Sequence, residues 1–316
     1  MTASDASLLA NIDARTKLAG SNKMEILLFT LGTREIFGIN VFKVREVSQT
    51  PEITKTPNMP MGVQGVISLR GNIIPVIALD KFIGRSKPDN VYASMIVTEF
   101  NKSTQAFLVG EVDRIIRVDW DKVRAPENMV STSQQAMITA VTELEDGKLV
   151  SILDVEQILA SVIGETRIPD IPKANLDADQ FIFFCDDSVV ARKEITGVLD
   201  KMGVKYHQAN NGREAWDRLQ AFANRQWNEG ESLHDTLKLI LVDAEMPEMD
   251  GYVLTRLIKN DPRFADIPVV MHSSLSSEAN RAMGSRVGVD AYVAKFDAEV
   301  LADTIRPMLQ RARRTS

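Results

Sequence analysis

The chain has 316 residues, 44% of them hydrophobic, and a formal net charge of -6 at pH 7. That length is enough for two packed cores, and the acidic balance disfavours broad binding to a nucleic-acid backbone, which leaves protein partners as the expected default. The single cysteine, Cys185, can form no internal bridge and stands inside an apolar run, so neither core is expected to need a disulfide, as suits a reducing cytosol.

The N-terminus, Met-Thr-Ala-Ser-Asp, lacks a basic stretch followed by an apolar core, and no apolar run approaches membrane-spanning length. Export and direct membrane insertion are therefore not expected, and the chain reads as cytoplasmic. Residues 4–19 carry Leu8, Leu9, Ile12 and Leu18 among polar residues and end at Gly20, which predicts an amphipathic helix within residues 1–20. From Met24 the pattern changes to short pieces rich in Ile, Val and Phe. Gly32-Thr33, Gly71-Asn72, Asn101-Lys102 and Asp146-Gly147 fall between apolar segments and predict hairpin turns in an all-β region over residues 21–165. Residues 53–58 and 123–128 echo one another, each followed by a strand, a Gly turn and an apolar strand. An offset of about seventy residues is too long for a solenoid repeat and points to two related β-subdomains.

Residues 166–178 contain two prolines and little apolar content, and predict a semi-extended linker with a boundary near Ile171. Beyond it, over residues 179–316, strand and helix alternate. Residues 181–185, 204–208, 239–243, 268–272 and 291–294 read as strands, and residues 188–202, 211–221, 251–259, 278–287 and 299–311 as helices. Such alternation predicts a doubly wound parallel sheet with right-handed crossovers. Residues 224–236 break the pattern and read as an exposed insertion.

The chain is organised around residues 239–251, Leu-Ile-Leu-Val-Asp-Ala-Glu-Met-Pro-Glu-Met-Asp-Gly, where a continuous apolar run stops at a carboxylate. A strand apolar on every residue is buried on both faces of a parallel sheet, which puts Asp243 at its C-terminal end, the edge where such sheets bind ligands. The run 181–185 ends likewise in Asp186 and Asp187. Three carboxylates at one sheet edge are a costly cluster of like charge unless a cation compensates, and hard oxygen ligands suit Mg²⁺. His207, His234 and His272 are scattered without metal-ligand spacing and read as packing or surface residues.

In the first half, residues 65–79, Gly-Val-Ile-Ser-Leu-Arg-Gly-Asn-Ile-Ile-Pro-Val-Ile-Ala-Leu, resemble the signature of the CheW-like coupling domain of bacterial chemotaxis. Residues 38–47 and 147–155 match other parts of the pattern in the same order. The resemblance implies two SH3-like five-stranded barrels, no catalytic site, and a surface at Val44, Glu46 and Arg70 that contacts chemoreceptor tips and the histidine kinase CheA. The second half resembles the response-regulator receiver domain, a flavodoxin-like fold with five parallel strands. That resemblance makes Asp243 the phosphorylated aspartate, Asp186 and Asp187 the acid pair that with Asp243 holds Mg²⁺, Ser273 the hydroxyl after the fourth strand, Tyr292 the aromatic switch and Lys295 the lysine after the fifth.

The two halves in this order are similar to the CheV family of chemotaxis coupling proteins. The resemblance implies an adaptor at chemoreceptor arrays, controlled by phosphorylation of Asp243 and serving adaptation. The alternative is a phosphate sink that drains CheA by turnover at Asp243. A DNA-binding regulator is not expected, because only residues 311–316 follow the last predicted helix. Two residues depart from the receiver pattern. Phe296 follows Lys295 where the family has a cis proline, so that loop is expected to take another course. Glu245, two residues after Asp243, brings a further negative charge toward the site and is expected to alter the lifetime of a phosphoryl group.

Overall fold

The structure, a computed structural model, describes residues 23–84, 92–100, 103–124, 137–164, 168–174, 176–227, 232–274 and 278–311. The helix expected within residues 1–20 and the turn at Asn101-Lys102 lie outside these. The described residues form two compact units, one ending with residue 164 and the other beginning at Ile168.

The first unit contains two five-stranded sheets. One takes β1 (Lys23–Phe29), β2 (Ile36–Asn40), β8 (Val112–Asp119), β9 (Ile138–Glu143) and β10 (Leu149–Leu153), in the order β8-β1-β2-β10-β9. The other takes β3 (Val44–Gln49), β4 (Val63–Leu69), β5 (Asn72–Ala78), β6 (Ser94–Phe100) and β7 (Ser103–Val109), in the order β3-β6-β7-β5-β4. The orders correspond strand for strand. Each sheet has one parallel pair, β10 with β2 and β5 with β7, and each has an isolated bridge at an equivalent place, Thr54 to Val66 and Arg124 to Val141. The sequence echo is thus the trace of one architecture built twice.

Period-two alternation divides the core. In β1, Met24, Ile26 and Leu28 join a cluster with Trp120, Val150 and Ile152 inside the first sheet, while Leu27 and Phe29 face a shared cluster with Ile77, Ile96 and Phe107 of the second. In β6 and β7, Met95, Val97, Ala106 and Leu108 fill the second sheet's own interior. Each sheet wraps one cluster and the two meet over a third, so the central strands β1, β6 and β7 contribute side chains from both faces to the cores. The hairpin between β4 and β5 turns at Arg70 and Gly71, with φ of 50° and 87°, the left-handed pair of a type I′ turn, so the turn falls one residue earlier than the sequence reading. Asp154 caps the helix that closes the unit, α1 (Val155–Ile163), by accepting from Gln157 N at 2.9 Å.

The second unit is a parallel sheet of β11 (Phe181–Cys185), β12 (Lys205–Ala209), β13 (Leu237–Asp243), β14 (Val269–Ser273) and β15 (Ala291–Ala294), in the order β12-β11-β13-β14-β15. Every residue of β11, β13 and β14 is buried. Phe183, Cys185, Ile240 and Val242 pack on one face and Ile182, Phe184, Leu239 and Leu241 on the other. Full burial of such side chains is worth roughly 1.5–3 kcal/mol each before chain entropy is subtracted. The helices α2 (Val189–Met202), α3 (Gly212–Ala223), α5 (Gly251–Asn260) and α6 (Glu278–Val287) connect the strands, a short α4 (Leu233–Thr236) leads into β13, and α7 (Ala298–Arg311) follows the last strand. Ser188, Asn211 and Asp250 cap α2, α3 and α5 through their side-chain oxygens. In the stretch read as an exposed insertion, Asn224, Arg225, Gln226, His234 and Asp235 are exposed, but not every described residue is. Trp227 packs on the core, and Leu233 and Thr236 are buried, because the segment must deliver the chain into the central strand.

Residues from the stretch read as linker also pack on this unit. Ile168, Ile171, Ala174 and Leu176 lie against the core beside α2, and Ala174 N donates to Met202 O at 2.8 Å. Lys201 Nζ donates to Ile168 O and Pro169 O, each at 2.8 Å. A Cβ on Gly197 would stand 2.1 Å from Ile168 Cδ1, so the glycine makes the notch that receives that side chain.

Candidate functional site

The parallel register brings the functional residues of the second half to one sheet edge. Cys185 pairs with Val242, Asp243 with His272 and Ser273 with Ala294. Asp186, Asp243, Ser273 and Lys295 therefore stand in a row where β11, β13, β14 and β15 stop. Asp186 is fully buried, Asp243 and Lys295 are 3% and 1% exposed, and Asp187 is half-buried.

Lys295 reaches both buried carboxylates. Its Nζ lies 3.0 Å from Asp243 Oδ2 and 3.0 Å from Asp186 Oδ2. Such pairs are held by geometry, since burying either charge alone would cost several kcal/mol. The Lys295 backbone extends the ladder, with its N–H donating to Ser273 O at 3.0 Å. Asp186 is oriented locally: its Oδ1 accepts from Ser188 N at 2.9 Å and its carbonyl from Arg192 Nη1 at 2.8 Å. Asp243 is set by a close approach. A Cβ on Gly251 would stand 1.9 Å from Asp243 O, so only glycine lets α5 begin against the end of β13.

Asp186, Asp187 and Asp243 each offer a carboxylate oxygen within 4.8 Å of one another. Three hard oxygen donors this close form a cluster of like charge, and that donor set fits a divalent cation such as Mg²⁺. When bound, the ion supplies charge neutralisation for oxygens gathered at Asp243.

Tyr292 stands half-buried beside Ser273, and its phenol is pushed up to about 12, first by burial. The Arg281 guanidinium lies 5.3 Å from the ring centroid. The sequence reading did not single out Tyr252, a buried residue whose phenol is raised by burial and by Tyr292 and Glu245. Tyr252 packs with Ala244, Met271 and Met283 against Tyr292, and only the start of α5 next to Asp243 hints at it in the sequence. Glu245 is 7% exposed and near enough to raise both phenols. His272, expected as packing, is buried with Nδ1 3.9 Å from Asp186 Oδ2, so it also borders the site. His207 does pack, edge-on to Phe181 at 4.7 Å, and His234 is exposed.

In the first unit the three expected contact residues separate. Val44 is 4% exposed and belongs to the shared core, so packing replaces the contact role expected of it. Arg70 projects from its turn and pairs through Nη2 with Glu46, whose own side chain is largely buried. Arg70 occupies the left-handed first position of the type I′ turn, and its side chain is mostly exposed.

Comparison with known proteins agrees with both halves. Residues 25–162 match the CheW-like domain and residues 182–306 the response regulator receiver domain. Chemotaxis protein CheV3 of Helicobacter pylori is 35% identical over 87% of this chain and 89% of its own. Chemotaxis protein CheW of Klebsiella aerogenes is 29% identical over 48% of this chain and 92% of its own. The crystal structure of scaffolding protein TtCheW from Thermoanaerobacter tengcongensis is 30% identical, covering 42% of this chain and 84% of that one, with a TM-score of 0.38. With a coupling domain and a receiver joined in one chain, and that likeness running through both, the chain belongs to the CheV family of chemotaxis signalling adaptors.

Proposed function

We propose that this adaptor couples chemoreceptor tips to the histidine kinase CheA through its first half, and that phosphorylation of Asp243 in its second half adjusts the coupling during adaptation. The observation that carries this reading is the placement of Asp243 at the end of β13, 3.0 Å from the buried Lys295 ammonium and within the acid cluster. An Asp243 carboxylate oxygen attacks the phosphorus of a phosphohistidine; the P–N bond breaks, the imidazole leaves with its electron pair and takes up a proton, and an aspartyl phosphate remains. Lys295 offers its ammonium to the transferred oxygens, and Ser273 donates its hydroxyl to one of them. Catalysis of this kind is positioning and charge stabilisation. Tyr292 then follows Ser273, turning a local charge into a change of surface. Glu46 and Arg70 are the proposed partner contacts, and receptor arrays the proposed location. The coupling half spans residues 21–165, the linker 166–178 and the receiver 179–316.

The test is transfer of labelled phosphate from phosphorylated CheA to the wild type and to Asp243→Ala, with and without Mg²⁺. Label that requires both Asp243 and Mg²⁺ is the expected result; wild type that stays unlabelled reduces the second half to a docking module.

A further inference from the structure

Lys295 is followed by a residue in an unusual state. Phe296 has φ of 64°, the left-handed region, which a bulky aromatic residue rarely occupies and which costs on the order of 1 kcal/mol or more. None of the described peptide bonds is cis. What holds this backbone is a long-range partner: Phe296 N donates to Glu194 Oε2 at 3.0 Å, a carboxylate on α2 that is 102 residues away in sequence. One residue earlier, Lys295 N donates to Ser273 O; one residue later, Asp297 Oδ1 accepts from Val300 N at 3.1 Å and opens α7. The three-residue loop that carries the lysine is therefore anchored at each successive residue, the first to the neighbouring strand β14, the second to α2 and the third to the start of α7.

Glu194 is poorly suited to its place if packing were its only duty. It is half-buried on α2 between Arg192, which grips the Asp186 carbonyl, and buried Ile195. Burial pushes its carboxyl up to about 7 against the pull of Phe296 N–H and Lys295. An aliphatic residue there would avoid that desolvation. The same helix thus fixes the first acid through Arg192 and the lysine loop through Glu194.

We propose that Glu194 is a positioning residue for Lys295: by accepting the Phe296 N–H it holds the loop in its left-handed course and so aims the ammonium at Asp186 and Asp243. This deepens the phosphorylation reading and rests on it. A proline at position 296 would have no N–H to donate, so Glu194 and a non-proline residue at 296 form one device.

Two variants of the full chain separate hydrogen bonding from charge and volume. Glu194→Gln keeps an acceptor, whereas Glu194→Leu fills the space without one. Amide hydrogen exchange at Phe296 is read without any phosphate donor, and uptake of labelled phosphate at Asp243 is read from acetyl phosphate with Mg²⁺. The expected result is a protected Phe296 amide and uptake within about twofold of wild type for Glu194→Gln, but a fast-exchanging amide and uptake slowed about tenfold for Glu194→Leu, with its thermal midpoint unchanged or raised. Wild-type uptake in Glu194→Leu, an unprotected amide in the wild type, or a Glu194→Gln as slow as Glu194→Leu would each overturn the proposal. A protected amide in a wild-type chain that takes up no phosphate would instead overturn the phosphorylation reading and leave the loop anchor standing.

Discussion

At the scale of single residues, the site shows how burial assigns different duties to chemically similar groups. Asp186 and Asp243 share one lysine and tolerate burial because Nζ lies near both. Glu194 has only a backbone N–H and a more distant charge, and its carboxyl rises to about 7 from an ordinary 4.5. A carboxyl with a raised folded pKa binds more protons in the native than in the unfolded state between those two values. Its contribution to stability is therefore fully present below about pH 4.5 and is lost as pH rises through about 7. The second unit should lose up to about 3 kcal/mol over that window on account of this group. Urea unfolding at a series of pH values tests it: the slope should shrink in Glu194→Gln, and an unchanged slope would assign the dependence elsewhere. Glu245 is buried beside both phenols and two residues from Asp243. It is expected to change the rate at which phosphate leaves; equal dephosphorylation rates in wild type and Glu245→Ala would remove it from the mechanism.

At the scale of elements, two glycines decide how helices meet their neighbours. Gly251 lets α5 start against the end of β13, where a methyl would sit 1.9 Å from a backbone oxygen that cannot move independently. Gly251→Ala is expected to cost roughly 2–3 kcal/mol and to abolish phosphate uptake, because relief must shift Asp243 itself. A urea midpoint equal to wild type would show that α5 yields instead. Gly197 faces a flexible side-chain end, Ile168 Cδ1 at 2.1 Å, so Gly197→Ala should leave α2 intact or firmer and dislodge the segment that packs on it. Tryptic cleavage after Lys173 should then accelerate, since Ala174 N is held by Met202 O only while the segment is seated. Unchanged cleavage would mean that Lys201, through its bonds to the Ile168 and Pro169 carbonyls, suffices.

At the scale of the whole molecule, the coupling half and the receiver half are expected to fail separately. Arg70 is mostly exposed, so its pair with Glu46 is worth about 0–1 kcal/mol to stability. Arg70→Ala should melt like wild type yet lower receptor-dependent activation of CheA; full activation would move the contact surface elsewhere. Asp243→Ala should still dock and activate while losing phosphate control. That outcome also distinguishes an adaptor from a phosphate sink, which would lose its effect entirely.

Much of this molecule was legible in the residues because local chemistry and global placement agree. The unbroken apolar runs 181–185 and 239–243 read as doubly buried strands, and their terminal carboxylates could only stand at the sheet edge where both strands stop. The helix starts were readable from Ser188, Asn211 and Asp250, whose side chains satisfy backbone donors a few residues on. Family motifs then supplied Ser273 and Lys295, which no periodicity would single out. What the sequence could not reveal depends on contacts between distant segments. Val44 was expected as a contact residue, but β3 turns it into the core shared by the two sheets; His272 and Tyr252 became neighbours of the site only through strand register and helix packing; and Glu194 meets Phe296 only because α2 passes the loop after β15. Sequence by itself determined which elements form and which chemical groups stand at their ends, since those follow from periodicity, capping and residue type over a few positions. Only the tertiary structure decided which groups share a charge, a proton donor or a cavity, because those energies depend on distances of a few ångströms between residues a hundred positions apart.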